Sequence, residues 1–378
     1  TTLQQWLADD RFTHTHLTVL THHATTPTPD LAHAAIWGLT RSAQTEHPDR
    51  ITLLDTDTTA TTAAAGLHPI PDPTTLTRHP QLAWHNNTLT TPRLTPTTST
   101  NTRTGTSTST GIEPQPNTFD PNGTVLITGG TGTLGALLAR HLVTHHHVRH
   151  LHLTSRRGPN APGATQLHND LTTLGATVTI TATDTTNPHT LKTLLTTLTT
   201  NPHPLTAIIH TAGTLNDALL THQTPHHLTH TLTPKADTAH HLHHLTNQLK
   251  TPLTHFILYS SAAGHLGNTG QANYAAANTF LDALATHRHT HNQPATSLAW
   301  GLWHTTSEMT QHMSATDALV LARNGVLPMS EEEGLALFDQ AIVSGEPVVV
   351  PAPINMSQVR ARLEAGDAVS PLLQGLVK

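Results

Sequence analysis

The sequence contains no cysteine among its 378 residues, and only 11% of it is Asp, Glu, Lys or Arg, against about 25% in an average soluble domain. The first absence excludes a disulfide framework, a thiolate zinc site and a cysteine nucleophile. The second, with a formal net charge of −6, leaves no general attraction to nucleic acid or to an anionic membrane. No apolar run approaches the roughly 18 residues of a membrane span. The stretch Thr1 to Asp10 lacks the basic-then-apolar start of a signal peptide. A cytoplasmic protein with neither nucleic acid nor membrane as partner is expected. Aromatic residues make up 3% of the chain, with two Tyr, and there are four Lys, at 192, 235, 250 and 378. Residue types this scarce are informative where they fall.

What the chain has instead is His, 34 of them, and Thr at about one position in five. Such abundance weakens any reading of a histidine pair as a metal site. His145-His146-His147 and His240-His241-x-His243-His244 have no interleaved carboxylate, so they read as solvated helix faces and no metal is expected. The bias has an edge. No His follows His312 and no Thr follows Thr316, which marks a compositional seam at about 307–314. A mutational or codon bias tolerated on the surface accounts for most of these residues.

The pattern along the chain is strand alternating with helix. Strands are expected at Leu17–Leu20, Ile51–Leu54, Thr124–Thr128, Leu151–Thr154, Ala176–Ala182, Ala207–His210, Phe256–Ser260, Thr296–Trp300 and Pro347–Val350. A helix is expected from Asp30 to Glu46 with Asp30 as its N-cap. Continuous apolar strands with helical crossovers imply a parallel sheet covered on both faces. The stretch Thr95 to Pro121 lacks apolar periodicity and reads as a linker. Residues 1–118 therefore read as one subdomain plus linker, and 119–378 as a second, with a lid at about 302–330.

The strand Thr124–Thr128 runs into Gly129-Gly130-Thr131-Gly132-Thr133-Leu134-Gly135, and a helix is expected from Ala136. Gly130, Gly132 and Gly135 carry the G-x-G-x-x-G spacing in its strand–turn–helix context, the mark of a dinucleotide pyrophosphate on a helix N-terminus. Where an acidic residue would select NAD, the next strand ends in Thr154-Ser155-Arg156-Arg157. Two guanidinium forks suit a 2′-phosphate, so the expected cofactor is NADPH. Asp184 is placed for the adenine edge or as a cap.

Delivery of hydride to a carbonyl requires a proton for the nascent alkoxide, and a phenol beside a cation can give it. Of the two Tyr, Tyr259 lies in the apolar run Phe256–Tyr259 and reads as core. Tyr274 follows a glycine-bearing stretch and begins a helix. Ser261, thirteen positions earlier, ends a strand, so the two can converge on one oxygen above the sheet's carboxyl edge. Lys235 is the lysine best placed to approach, and Asn278 lies one helical turn beyond Tyr274.

By the glycine turn, Ser261, Tyr274 and Asn278 together, the chain resembles the short-chain dehydrogenase/reductase superfamily. Asn278 stands where most members have Lys, and Lys235 comes from upstream. That exchange resembles the ketoreductase domain of modular type I polyketide synthases. Trp37-Gly38-Leu39, Arg41-Ser42-Ala43-Gln44 and Glu46-His47-Pro48 are similar to that family's N-terminal structural subdomain; Leu298-Ala299-Trp300-Gly301 is similar to its catalytic one. The implied fold is α/β: a Rossmann-type doubly wound parallel sheet preceded by a Rossmann-like structural subdomain that begins part-way through.

The resemblance implies NADPH-dependent reduction of a β-ketoacyl thioester held on an acyl carrier protein, in concert with other synthase domains, by a domain monomeric in isolation. Tyr274 is then the proton donor, Ser261 bonds the carbonyl oxygen, Lys235 orients the cofactor ribose and favours phenol ionisation, and Asn278 supports the relay. Cofactor contacts fall on Thr128, Gly130, Thr131, Gly132, Thr133, Leu134, Ser155, Arg156, Arg157, Asp184, His210, Ala212, Gly213 and Lys235. Substrate and stereocontrol positions are Leu215, Asp217, Leu266, Gln271, Asn273, Trp303 and Met309. Leu215-Asn216-Asp217 resembles the Leu-Asp-Asp of B-type members, Leu266 replaces the A-type Trp, and Ala276 stands where epimerising members have Pro. A D-configured hydroxyl without epimerisation is expected. The alternatives are a non-reducing structural or epimerising domain, and a free-standing reductase of small ketones. The complete set of site residues weighs against the first, and the added N-terminal subdomain against the second.

Overall fold

A computed structural model describes residues 2–57, 71–97, 119–304, 325–366 and 369–377. Most of the expected linker, Met309 and the centre of the expected lid lie outside them. Eleven strands among the described residues form two sheets.

The first sheet comprises β1 (Leu17–His22), β2 (Ile51–Thr56), β3 (Gln81–His85) and β4 (Thr88–Thr90), in that order. β1, β2 and β3 are parallel; β4 turns back antiparallel. The turn between β3 and β4 is Asn86-Asn87, with φ of 50° and 59°. Two successive left-handed residues match the right-handed twist of a hairpin, and Asn tolerates that region. The sequence pattern gives neither β3 nor β4 as an expected strand; Asn86-Asn87 between Trp84 and Leu89 is the signal that could have shown them. The helix Leu31–Glu46 begins as expected, with the Asp30 carboxylate accepting from the His33 N–H.

The second sheet comprises β5 (Thr124–Thr128), β6 (His150–Ser155), β7 (Thr177–Ala182), β8 (Leu205–His210), β9 (His255–Ser261), β10 (Thr296–Trp300) and β11 (Val348–Val349). Its order is β7-β6-β5-β8-β9-β10-β11, all parallel. The order reverses beside β5, which opens a crevice at the carboxyl ends of β5 and β8. Along β5, Val125 and Ile127 pack with Leu138 and Leu142 on one face, while Leu126 packs with Ile208, Leu258 and Leu281 on the other. Burial of both faces is why these strands read as unbroken apolar runs.

The two units meet helix to helix. Gly38 of Leu31–Glu46 lies against the helix Ala272–Thr290 so closely that a Cβ there would stand 2.3 Å from the Ala275 carbonyl oxygen. The Arg41 side chain is buried in the joint and donates to the Gly264 carbonyl at 2.8 Å. Burial holds its pKa down to about 10, against an opposing pull from Asp282.

Candidate active site

A cleft of about 1170 Å³ lies at the carboxyl ends of the parallel strands. Its floor is the turn after β5. Gly129 has φ of +75° and a Cβ there would meet the Ala212 nitrogen at 2.8 Å. At Gly135 a Cβ would stand 2.5 Å from the Gly129 oxygen. Side chains are therefore excluded, and the backbone itself forms the cradle. The helix Thr133–Thr144 starts three residues earlier than expected, because Gly132 caps it and its carbonyl accepts from Ala136 N at 2.8 Å. Its first-turn N–H groups lie at the cleft, a ready site for an anion. Gly129, which the spacing motif passes over, is the residue that makes the turn; it also donates to the Thr154 carbonyl at 2.8 Å.

Ser155, Arg156 and Arg157 line the cleft where β6 ends, with both arginines exposed on its rim. Ser155 also holds the turn that follows, since its Oγ accepts from the Gly158 N–H and the Thr131 hydroxyl. Asp184 lines the same end, and one of its oxygens holds the Thr186 N–H and hydroxyl. The cap of the following helix is Asn187, not Asp184.

Ser261, Tyr274 and Lys235 all line this cleft. Ser261 closes β9 and Tyr274 sits in the first turn of Ala272–Thr290. Lys235 belongs to a π-helical turn, Thr233–Asp237, between the α-helices Pro225–Leu232 and Thr238–Gln248, a distortion frequent at functional positions. The turn sends the buried ammonium to the Tyr259 carbonyl at 2.8 Å and over the Tyr274 ring, 5.1 Å from its centroid. Tyr259 itself is core, as expected; burial alone pushes its phenol pKa up.

Several expected contact residues lie behind the cleft wall instead of on it, because they brace the residues that line it. Thr128 and His210 are both fully buried. A carbonyl only accepts, so His210 Nε2 carries the proton donated to Lys235 O at 2.9 Å, and Nδ1 accepts from the Thr128 hydroxyl at 2.6 Å. Burial holds the His210 pKa down to about 4. Gly130 is covered by Leu153. Asn278 is fully buried and donates to the Tyr274 carbonyl at 2.8 Å. Leu266 also lies off the cleft wall.

The segment with Leu215 and Asp217 is tied to the tyrosine helix. Gln271 donates to Asp217 at 2.9 Å. The buried Asn273 amide donates to the Asn216 carbonyl, the His227 carbonyl and the Thr231 hydroxyl, while its oxygen accepts the Tyr274 N–H. The N-terminal unit reaches in too: Glu46 accepts the backbone N–H groups of Leu220 at 2.7 Å and Gly270 at 2.9 Å. Nothing in the motif that contains Glu46 shows this role. Trp303 lines the cleft, but it is also core, 4.8 Å from Trp300 and against Gly334. Beside it, His304 N donates to Met329 O and Met329 N to Leu302 O, each at 2.8 Å, joining the two ends of the expected lid.

The histidine clusters differ from the expected solvated helix faces: His145-His146-His147 follows the end of the helix Thr133–Thr144, and two members of the clusters have specific partners. His243 is buried, 3.0 Å from the Arg288 guanidinium, and burial with that charge drives its pKa to about 3. His146 meets a carboxylate, Asp339, that sequence spacing could not bring near.

This sheet order, glycine turn and cleft are those of the Rossmann-type short-chain dehydrogenase/reductase class. Residues 123–305 match the family described as KR domain, and residues 1–94 the Rossmann fold domain of the polyketide synthase extender module SpnB. An A-type ketoreductase from a modular polyketide synthase superposes with a TM-score of 0.79 at 34% identity, covering 99% of this chain and 75% of that one. The first ketoreductase of the tylosin synthase gives 0.79 at 31%, covering 99% and 77%. The chain is 44% identical over 99% of its length to the spectinabilin synthase protein NorA' of Streptomyces orinoci, and 46% identical over 70% to the pikromycin synthase component PikAII of Streptomyces venezuelae. It spans 10% and 7% of those proteins. The chain belongs to the ketoreductase domains of modular polyketide synthases, oxidoreductases that reduce β-keto groups. No described helix is long and apolar enough to cross a membrane.

Proposed function

We propose that this chain reduces a β-ketoacyl thioester, presented by the acyl carrier protein of a cytoplasmic synthase, with NADPH as the reductant. The observation that carries the reading is the convergence of Ser261, Tyr274 and Lys235 on the cleft whose floor is the glycine turn. The turn fits a dinucleotide because added side chains would fill it, and Arg156 and Arg157 on the rim fit the charge of a 2′-phosphate. NADPH supplies the hydride when bound. The rest is the work of the chain's own groups. The Ser261 hydroxyl holds the carbonyl oxygen, and the Tyr274 phenol gives that oxygen its proton. The Lys235 ammonium, held by Tyr259 O and with its backbone carbonyl fixed by His210, favours the phenolate left behind. Asn278 keeps the Tyr274 turn in place.

The division at 118/119 and a lid at 302–330 belong to the same reading; the two separate sheets support the first, and the paired ends at 302–304 and Met329 the second. For stereochemistry the reading is a B-type outcome, a D-configured hydroxyl with no epimerisation. The resemblance of Leu215-Asn216-Asp217 to the Leu-Asp-Asp of B-type members, Leu266 in place of the A-type Trp and Ala276 in place of the epimerising Pro support it, and Gln271 and Asn273 tie that segment to the tyrosine helix. Chiral chromatography of the product from a diketide thioester checks it, and a mainly L-hydroxy product refutes it. The reaction itself is tested by NADPH consumption with such a thioester. Tyr274→Phe is expected to slow it by roughly 10²–10⁴-fold while cofactor binding persists; equal rates would remove Tyr274 from the chemistry.

A further inference from the structure

At the end of the helix Thr133–Thr144 remote from the glycine turn, three side chains meet that the reductase reading does not use. His141 Nε2 and His146 Nε2 each lie 2.8 Å from one oxygen of Asp339, and the three donor atoms fall within 4.8 Å of one another. Divalent zinc-class ions hold imidazole nitrogen and carboxylate oxygen at about 2.0–2.2 Å, which sets neighbouring ligand atoms roughly 3 Å apart; both His–Asp339 separations are already near that value, and the two imidazole nitrogens lie within 4.8 Å of each other. The surroundings suit an ion held from one side. His141 has only 5% of its side chain exposed. Phe338 stands edge-on to both imidazoles, with centroids 6.2 and 6.1 Å away, and Phe119 edge-on to His146 at 5.3 Å. Asp339, 40% exposed, opens the other side to solvent.

The histidine count does not explain this cluster. The helix ends after Thr144, and the chain then turns so that His146 comes back beside His141. The carboxylate arrives 198 residues later in sequence, from the helix Glu331–Ile342, in the segment that has no histidine at all. Two imidazoles and one carboxylate form a donor set for Zn²⁺, Co²⁺, Ni²⁺ or Cu²⁺, not for Ca²⁺ or Mg²⁺, which favour all-oxygen shells. Three protein ligands leave a position for water.

We propose that His141, His146 and Asp339 bind one divalent transition-metal ion, and that this ion clamps the helix carrying the glycine turn to the helix Glu331–Ile342. His141 is the ninth residue of its helix, about 12 Å along the axis from the first turn, so the clamp stabilises the fold and takes no part in the reduction.

The test uses tag-free chain, stripped with chelator, titrated with Zn²⁺ by calorimetry and with Co²⁺ by visible absorption. One ion per chain is expected to bind tighter than the remaining histidines do, to give the intense d–d bands of a four-coordinate cobalt site, and to raise the melting temperature. Asp339→Asn keeps the shape and an acceptor oxygen but removes the charge; it is expected to weaken that first ion about tenfold or more. His146→Gln, at a less buried position than His141, does the same and carries the test if the Asp339 variant does not fold. Metal-free reduction rates stay unchanged in both. Equal first-ion affinity in wild type and variants, or no ion bound above the histidine background, overturns the proposal.

Discussion

At the scale of single residues, scarcity was a better guide than abundance. Two Tyr and four Lys left few ways to assemble a proton donor with a cation, and the pair so selected lies 5.1 Å apart, ammonium to ring centroid. The arginines extend the same logic to the cofactor. If Arg156 and Arg157 meet a 2′-phosphate, the double variant Arg156→Ala/Arg157→Ala should raise KM for NADPH by at least tenfold and leave KM for NADH nearly unchanged. Each lost charge-assisted bond is worth about 1.5–3 kcal/mol. Initial rates with the two cofactors check this; a parallel rise in both KM values would assign the arginines to general folding. Thr128 and His210, expected on the cofactor and found buried behind the cleft wall, make a related point. A motif identifies positions, and only the hydrogen-bond partners tell whether a side chain touches a ligand or holds the residue that does.

At the scale of elements, the helix Leu31–Glu46 is the informative one. Its boundaries and cap were legible from Asp30 and the apolar spacing. Its bracing role was not, because Gly38, Arg41 and Glu46 act on residues more than 170 positions away. Glu46 joins the Leu220 and Gly270 backbones, which flank the segment with Asp217 and the start of the tyrosine helix. Glu46→Ala should cost about 2–3 kcal/mol of stability, the scale for hydrogen bonds to a charged group left unmade. It should also lower kcat more than it raises KM for cofactor, since the loops it holds belong to the catalytic side of the cleft. Denaturant titration and steady-state kinetics read the two effects; unchanged kcat would make the N-terminal unit a passive neighbour. The hairpin of β3 and β4 was hidden in the sequence for a local reason: short strands with an Asn-Asn turn give too few alternations to stand out from the surrounding Thr and Pro.

At the scale of the whole molecule, three buried histidines make the fold sensitive to acid. His210, His243 and His255 are buried and held at pKa values of about 4, 3 and 4, desolvation being the first cause in each. In the unfolded chain each takes up a proton near 6.5, while in the folded chain each stays neutral well below that. Their contribution is therefore intact above pH 6.5 and is lost as the pH falls toward 4. Urea unfolding at pH 7.5 and 4.5 should show a steep loss. His255→Phe, whose ring can keep the stack on Phe119, should reduce that loss by about 2–3 kcal/mol; an unchanged pH dependence would clear His255 of a role.

The sequence by itself determined the strands of the larger sheet, their parallel class, the glycine turn and the candidates Ser261, Tyr274 and Lys235. Those features rest on local rules: side-chain period, backbone freedom at glycine, and chemistry carried by rare residue types. Tertiary structure alone decided which of the expected contact positions face the cleft, that a π-helical turn aims Lys235, that Glu46 braces the cleft from the N-terminal unit, and that Asp339 meets His141 and His146. Each of these depends on packing between segments far apart in the chain, and a carboxylate 198 positions away has no signature in the residues around the imidazoles it meets.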